Sequence, residues 1–171
     1  MPCTRKRRRP LPPAATSLSQ GQRSDCYTEP MDDATLRTIL AGSPTIAVLG
    51  IHTDPSRAAY YVPEYLHGRG YRILGVNPAL AGTVLFGEPV RASLAELTEP
   101  VDLVDVFRRP DALPGHAAEL AACGAPVVWF QQGIRHDPVA DGLRAAGKTV
   151  IQDRCTLAEH RRLGLGAPRR A

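Results

Sequence analysis

From Met31 onward, short uninterrupted apolar runs alternate with stretches whose apolar residues recur at helical spacing. The runs predict strands buried on both faces, and the recurring stretches predict helices laid over them. Leu36, Ile39 and Leu40 form a helical stripe behind Asp32 and Asp33, ended by Gly42 and Pro44. Thr45-Ile-Ala-Val-Leu-Gly50 is the first strand. A helix over about 55–68 places Ala58, Ala59, Val62 and Leu66 on one side, with Gly68 and Gly70 framing its end. Tyr71 to Val76 is the second strand, stopped by Asn77-Pro78.

The stretch from Ala79 to Val90 reads as loop, with a very short strand at Glu88 to Val90 and a helix at Ser93 to Leu97. Val101 to Phe107 is a strand of alternating character that runs into Arg108-Arg109-Pro110. A helix over about 111–123, a buried strand from Pro126 to Phe130, a helix from Asp137 to Ala146, a strand from Thr149 to Gln152 and a terminal helix to about Leu163 complete the series. Strands separated by helices imply parallel pairing through right-handed crossovers. The predicted fold is therefore α/β, a doubly wound, mostly parallel sheet of five to six strands with helices on both faces.

Residues 1–30 follow neither rhythm. They are rich in Pro, Ser, Thr, Gln and Arg, and they hold six of the 21 basic residues against two of the 17 acids. Such a segment buries too little surface to offset its ordering entropy, so we expect a disordered basic arm, with Met31 as an alternative start. The folded part is expected over 31–163, with a short tail at 164–171. From Met31 on, acids and bases balance, so the formal charge of +4 resides in the arm and says little about what the domain binds.

Few aromatic residues, 5% of the chain, argue against a base-stacking surface for single-stranded nucleic acid. The four cysteines, Cys3, Cys26, Cys123 and Cys155, show no metal-ligand spacing and fit reduced thiols in the cytoplasm. No run approaches the roughly 18 to 20 apolar residues of a membrane span, and no apolar signal core follows the basic start.

In doubly wound sheets, ligands lie outside the carboxyl ends of the strands, so the strand exits hold the candidate chemistry. At the first exit Gly50 permits a tight turn and Thr53 offers a hydroxyl. Asp54 or Ser56 is placed to cap the next helix, with Pro55 in its first turn, and Arg57 supplies a cationic fork. A dinucleotide fingerprint would read GxGxxG here, with an acid about 20 residues on. Neither is present, and Asn77-Pro78 stands where the acid would, which disfavours NAD. The exit Val106-Phe107-Arg108-Arg109 brings two guanidinium groups to one strand mouth, an arrangement suited to phosphates. Gln131-Gln132-Gly133 adds amide side chains and a glycine on the same side.

The segments Gly50 to Arg57, Gly70-Tyr71 through Asn77-Pro78, Gly87-Glu-Pro, Val101 to Pro110, Val128-Trp-Phe-Gln-Gln-Gly133 and Asp153-Arg-Cys155 with Glu159-His160 occur in order. Together they resemble the small stand-alone CoA-binding domain family, a Rossmann-like fold that also forms the CoA-binding portion of the succinyl-CoA synthetase α subunit. The resemblance implies coenzyme A as cofactor. Gly50, Thr53 and Arg57 would contact its phosphates, Asn77 and Pro78 would border the crevice, and Val106, Phe107, Arg108 and Arg109 would embrace the adenosine phosphate end.

For catalysis the candidates are Cys155, His52, His136 and His160, but no nucleophile and base fall at a spacing that makes a site. Two alternatives of other classes accompany the binding reading: a CoA-dependent or thiol-disulfide role for Cys155, and nucleic-acid or acidic-partner binding through Arg5 to Arg9. The partner expected is a small-molecule cofactor, with nucleic acid and membrane disfavoured and a homo-oligomer or protein partner left open.

Overall fold

The computed structural model describes residues 31–169. The expected disordered arm, its Arg5 to Arg9 run, Cys3 and Cys26 lie outside the described residues, as does the end of the expected tail. Asp32 opens helix α1 (Asp33–Ala41) by accepting the Thr35 N–H through its carboxylate at 2.7 Å. Strand β1 (Thr45–Leu49) follows, then α2 (Ala58–Gly68) and β2 (Arg72–Val76). The stretch 79–90 folds into a small antiparallel hairpin, β3 (Val84–Leu85) and β4 (Glu88–Pro89), rather than staying open loop. The expected helix at Ser93 to Leu97 shrinks to one 3-10 turn over Leu94–Glu96. Strand β5 (Leu103–Val106), helix α3 (Leu113–Ala122), β6 (Val127–Phe130), α4 (Asp137–Ala145), β7 (Thr149–Ile151) and α5 (Thr156–Arg162) complete the chain.

All five long strands are parallel, in the order β2-β1-β5-β6-β7. The fold is the expected doubly wound sheet. Alternate residues of each strand feed two separate cores. Ile46, Val48, Leu103, Val127, Trp129 and Ile151 pack on one side, with Leu36 and Leu40 of α1 and Val62 and Leu66 of α2. Ala47, Leu49, Val104, Val106, Val128, Phe130 and Val150 pack on the other, with Leu113 and Leu120 of α3 and Val139 and Leu143 of α4. Burial on both faces explains the continuous apolar runs, because a crossover helix covers each surface.

The alternation expected for Val101 to Phe107 has a different cause. It does not mark a solvated face, since Leu103 to Val106 are all buried and Asp105 is 0% exposed. Asp105 stands between Val48 and Trp129 in the ladder, on the side covered by α1, α2 and α5. Residues 164–169, expected as a tail, return to the body as far as they are described. The Arg169 N–H donates to the Ala41 carbonyl at 2.8 Å, and the His160 ring binds the Gly166 carbonyl at 3.1 Å through Nε2.

Helix α2 begins at Ala58, three residues later than Pro55. Asp54 does not cap it but closes a turn onto Ser56, accepting its N–H at 2.9 Å and its hydroxyl at 2.7 Å, which lowers the Asp54 pKa. Arg57 occupies the cap position with no side-chain cap. Pro63 lies inside the helix and has no N–H to give the carbonyl of Ala59 one turn earlier. The His52 N–H donates to that carbonyl instead, at 3.2 Å, so the proline ties the β1–α2 loop to its own helix.

Candidate functional site

Strand order reverses between β1 and β5, because β2 lies on one side of β1 and every later long strand lies on the other. A cleft of about 710 Å³ opens over that point. Gly50, Arg57, Asn77, Phe107, Arg108 and Arg109 all line it, joined by His52, Tyr61, Gln131, Gln132, Gly133 and Cys155. Three residues singled out from the sequence are not on its wall. Thr53 and Pro78 are exposed to one side, and the Val106 side chain is fully buried in the core under α3.

Gly50 makes the close approach of the two central exits possible. Its φ is +94°, and a Cβ on it would stand 2.5 Å from the Phe107 carbonyl oxygen. Neither strand has room to yield, since the Gly50 N–H donates to the Val76 carbonyl and the Phe107 N–H to the Leu49 carbonyl, each at 2.8 Å.

Asn77 joins the second exit to the first. Its Nδ2 donates to the Ile51 carbonyl at 2.7 Å, and its Oδ1 accepts the Ala79 N–H at 3.1 Å. An aspartate in this place has no donor for Ile51, which accounts for the amide where a dinucleotide site carries an acid.

The three arginines of the cleft differ in how free they are. Arg109 holds Asp111 through two bonds, Nε–Oδ1 at 3.1 Å and Nη2–Oδ2 at 2.8 Å, with both side chains mostly exposed. Arg57 faces Asp54 at 3.6 Å, also in solvent. Arg108 has no carboxylate partner among the described residues, and its Nε is buried without any hydrogen-bond partner. A buried guanidinium N–H left unmatched is costly, so the side chain gains from any acceptor that reaches it. Beside it, the N–H groups of Ala58 and Ala59 at the start of α2 have no acceptor among the described residues, so the loop and helix face the cleft with donors.

A family model described as CoA binding domain matches residues 44–161. The chain belongs to the CoA-binding domain family. The uncharacterized protein YneT of Bacillus subtilis is 38% identical over 127 residues, spanning 74% of this chain and 93% of its own. Among solved structures, the Thermus thermophilus protein cell-free ID.343 is 53% identical with a TM-score of 0.76, covering 78% of this chain and 99% of its own. A hypothetical protein from Pyrococcus horikoshii OT3 is 30% identical with a TM-score of 0.74, covering 80% and 94% respectively.

Within this CoA-binding domain the residues weighed for catalysis have other engagements. His160 is fully buried, with Nδ1 bonded to the Tyr65 hydroxyl at 3.1 Å and Nε2 to Gly166, and burial lowers its pKa. Neither ring nitrogen is left for Cys155. His52 Nδ1 accepts the Asp54 N–H at 2.9 Å, and His136 caps α4 by accepting the Val139 N–H at 3.2 Å. Among the described residues no cluster of His, Cys, Asp and Glu is arranged to hold a metal ion, and no helix is long and apolar enough to cross a membrane.

The sequence did not single out Tyr61, which lines the cleft while 44% exposed, or the buried carboxylate of Asp105 beneath it. Asp105 is one of two acids in the run Val101 to Phe107, and nothing within that run separates a buried carboxylate from a solvated one.

Proposed function

We propose that the cleft binds coenzyme A or an acyl-CoA through its strand-end loops, without turnover by the chain's own residues, in a cytoplasmic domain whose thiols stay reduced. The observation that carries this reading is the Arg108 side chain, which lines the cleft beside Gly50 and has a buried Nε with no hydrogen-bond partner among the described residues. Arg57, Arg109 and the free amides at the start of α2 would add further phosphate contacts. Membership of the CoA-binding domain family supports the choice of ligand. The pantetheine arm would leave the phosphates along the cleft toward Gln131, Gly133 and Cys155.

Calorimetric titration with coenzyme A, ADP and NAD tests the proposal, with coenzyme A expected to bind tightest. Arg108→Ala is expected to weaken coenzyme A binding by about 10- to 100-fold, the cost of a charge-assisted contact to phosphate. Arg109→Ala should cost only a few-fold, because its guanidinium is solvated and shared with Asp111. NAD binding as tight as coenzyme A, or equal losses at the two arginines, would overturn the assignment.

A further inference from the structure

Beneath the cleft three side chains form a closed polar unit. Gln131 follows β6 and is 4% exposed, while Asp105 on β5 and Thr156 at the start of α5 are 0% exposed. The Gln131 Nε2 donates to both Asp105 carboxylate oxygens at 2.8 Å and to the Thr156 Oγ1 at 2.7 Å. The Thr156 hydroxyl spends its own hydrogen on Asp105 Oδ2 at 3.0 Å. That last bond decides which way the amide lies. With its hydrogen committed, the Thr156 oxygen can only accept, and above about pH 7, where Asp105 is ionised, its carboxylate can only accept, so both contacts call for the amide nitrogen.

Turning the amide over would set its oxygen against two acceptors. The nitrogen is therefore held inward, and Oε1 has no partner among the described residues. Gln131 lines the cleft, so this oxygen is the amide atom left for a ligand. The cleft otherwise presents mainly donors: Arg57, Arg108, Arg109 and the first amides of α2. A fixed acceptor among these donors matches the part of the ligand that carries N–H groups, not the part that carries phosphates.

We propose that Gln131 accepts a hydrogen bond through Oε1 from an amide N–H of the ligand's pantetheine arm, and that Asp105 and Thr156 are positioning residues that fix the amide in that orientation. This rests on the coenzyme A reading. It assigns the two ends of one ligand to different chemistry, with arginines reading the phosphates and Gln131 reading the arm. ADP, which shares the adenosine and pyrophosphate but has no amide arm, is blind to Gln131.

Calorimetry with coenzyme A and ADP on the wild type, Gln131→Met and Thr156→Val tests the assignment. Gln131→Met, which keeps length and volume, should lower coenzyme A affinity about tenfold and leave ADP affinity unchanged. Thr156→Val, which removes the inner acceptor but keeps the shape, should narrow the preference for coenzyme A over ADP in the same direction. Equal losses for both ligands, or no loss for either, would overturn the proposal. In the unaltered chain the Gln131 side-chain amide resonances should shift with coenzyme A and stay in place with ADP, which keeps the test valid if a variant fails to fold. A wild type that binds ADP but not coenzyme A refutes the cofactor reading itself, and this is seen before any variant is compared.

Discussion

Gly50→Ala is expected to destabilise the protein by about 3 to 5 kcal/mol and to remove ligand binding with it. Two costs combine at this residue. Its φ of +94° is strained for alanine, and the new methyl would stand 2.5 Å from the Phe107 carbonyl oxygen, which belongs to backbone and cannot rotate away. Relief would require β1 and β5 to part at their exits, breaking the Phe107–Leu49 bond and opening the wall on which Arg108 stands.

Gly82→Ala separates the two costs, since Gly82 has a φ of +86° with nothing within 4 Å of an added Cβ. That variant should lose only about 1 kcal/mol from backbone strain. Urea unfolding midpoints of the two variants check the difference. Equal losses would mean that the approach of Phe107 to Gly50 has no energetic weight.

The second large effect concerns pH. Burial pushes the Asp105 carboxyl up to about 7, against the opposing bonds from Gln131, Thr156 and the Val106 N–H. In the unfolded chain the same group ionises near its ordinary value of 3.8. Between these two values the folded protein holds a proton that the unfolded chain has released, so stability falls as pH rises through the interval and levels off above about 7. At about 1.4 kcal/mol per unit, the group accounts for a loss of roughly 4 kcal/mol across the window.

Asp105→Asn keeps the shape and an acceptor for Gln131 while removing the charge. It should flatten the decline and leave the variant more stable than the wild type by about 1 to 3 kcal/mol at about pH 8. Unfolding midpoints at about pH 5 and pH 8 measure this. Parallel profiles for the two proteins would show that Asp105 does not titrate in that window.

Most of the sheet was legible because a central parallel strand must be apolar on both faces, and runs such as Thr45 to Leu49 and Val127 to Phe130 have no other use in a domain of this size. Helix ends were less so. The start of α2 depends on a turn between Asp54 and Ser56 that competes with capping, and the two uses of an aspartate look alike in sequence. The site's location followed from the strand exits, and six of the nine residues chosen line one cleft. Thr53, Pro78 and Val106 stand off its wall because the spacing of residues in a loop or at a strand end does not dictate where each side chain turns. Asp105 was obscured for a related reason. A polar letter every second or third position in Val101 to Phe107 suits a half-exposed strand equally well, and only its distant partners, Gln131 and Thr156, distinguish a buried network from a wet face.

The bond between His52 and Ala59 carries a consequence for kinetics. Loops that meet phosphates are commonly ordered by the ligand, and that ordering is subtracted from affinity. Here a proline inside the following helix leaves one carbonyl to recruit the loop's own amide, so the loop is anchored at His52 and closed by its Asp54 turn before any anion arrives. The His52 amide should therefore exchange with solvent slowly in the free protein, and association should be limited by encounter and orientation rather than by loop closure.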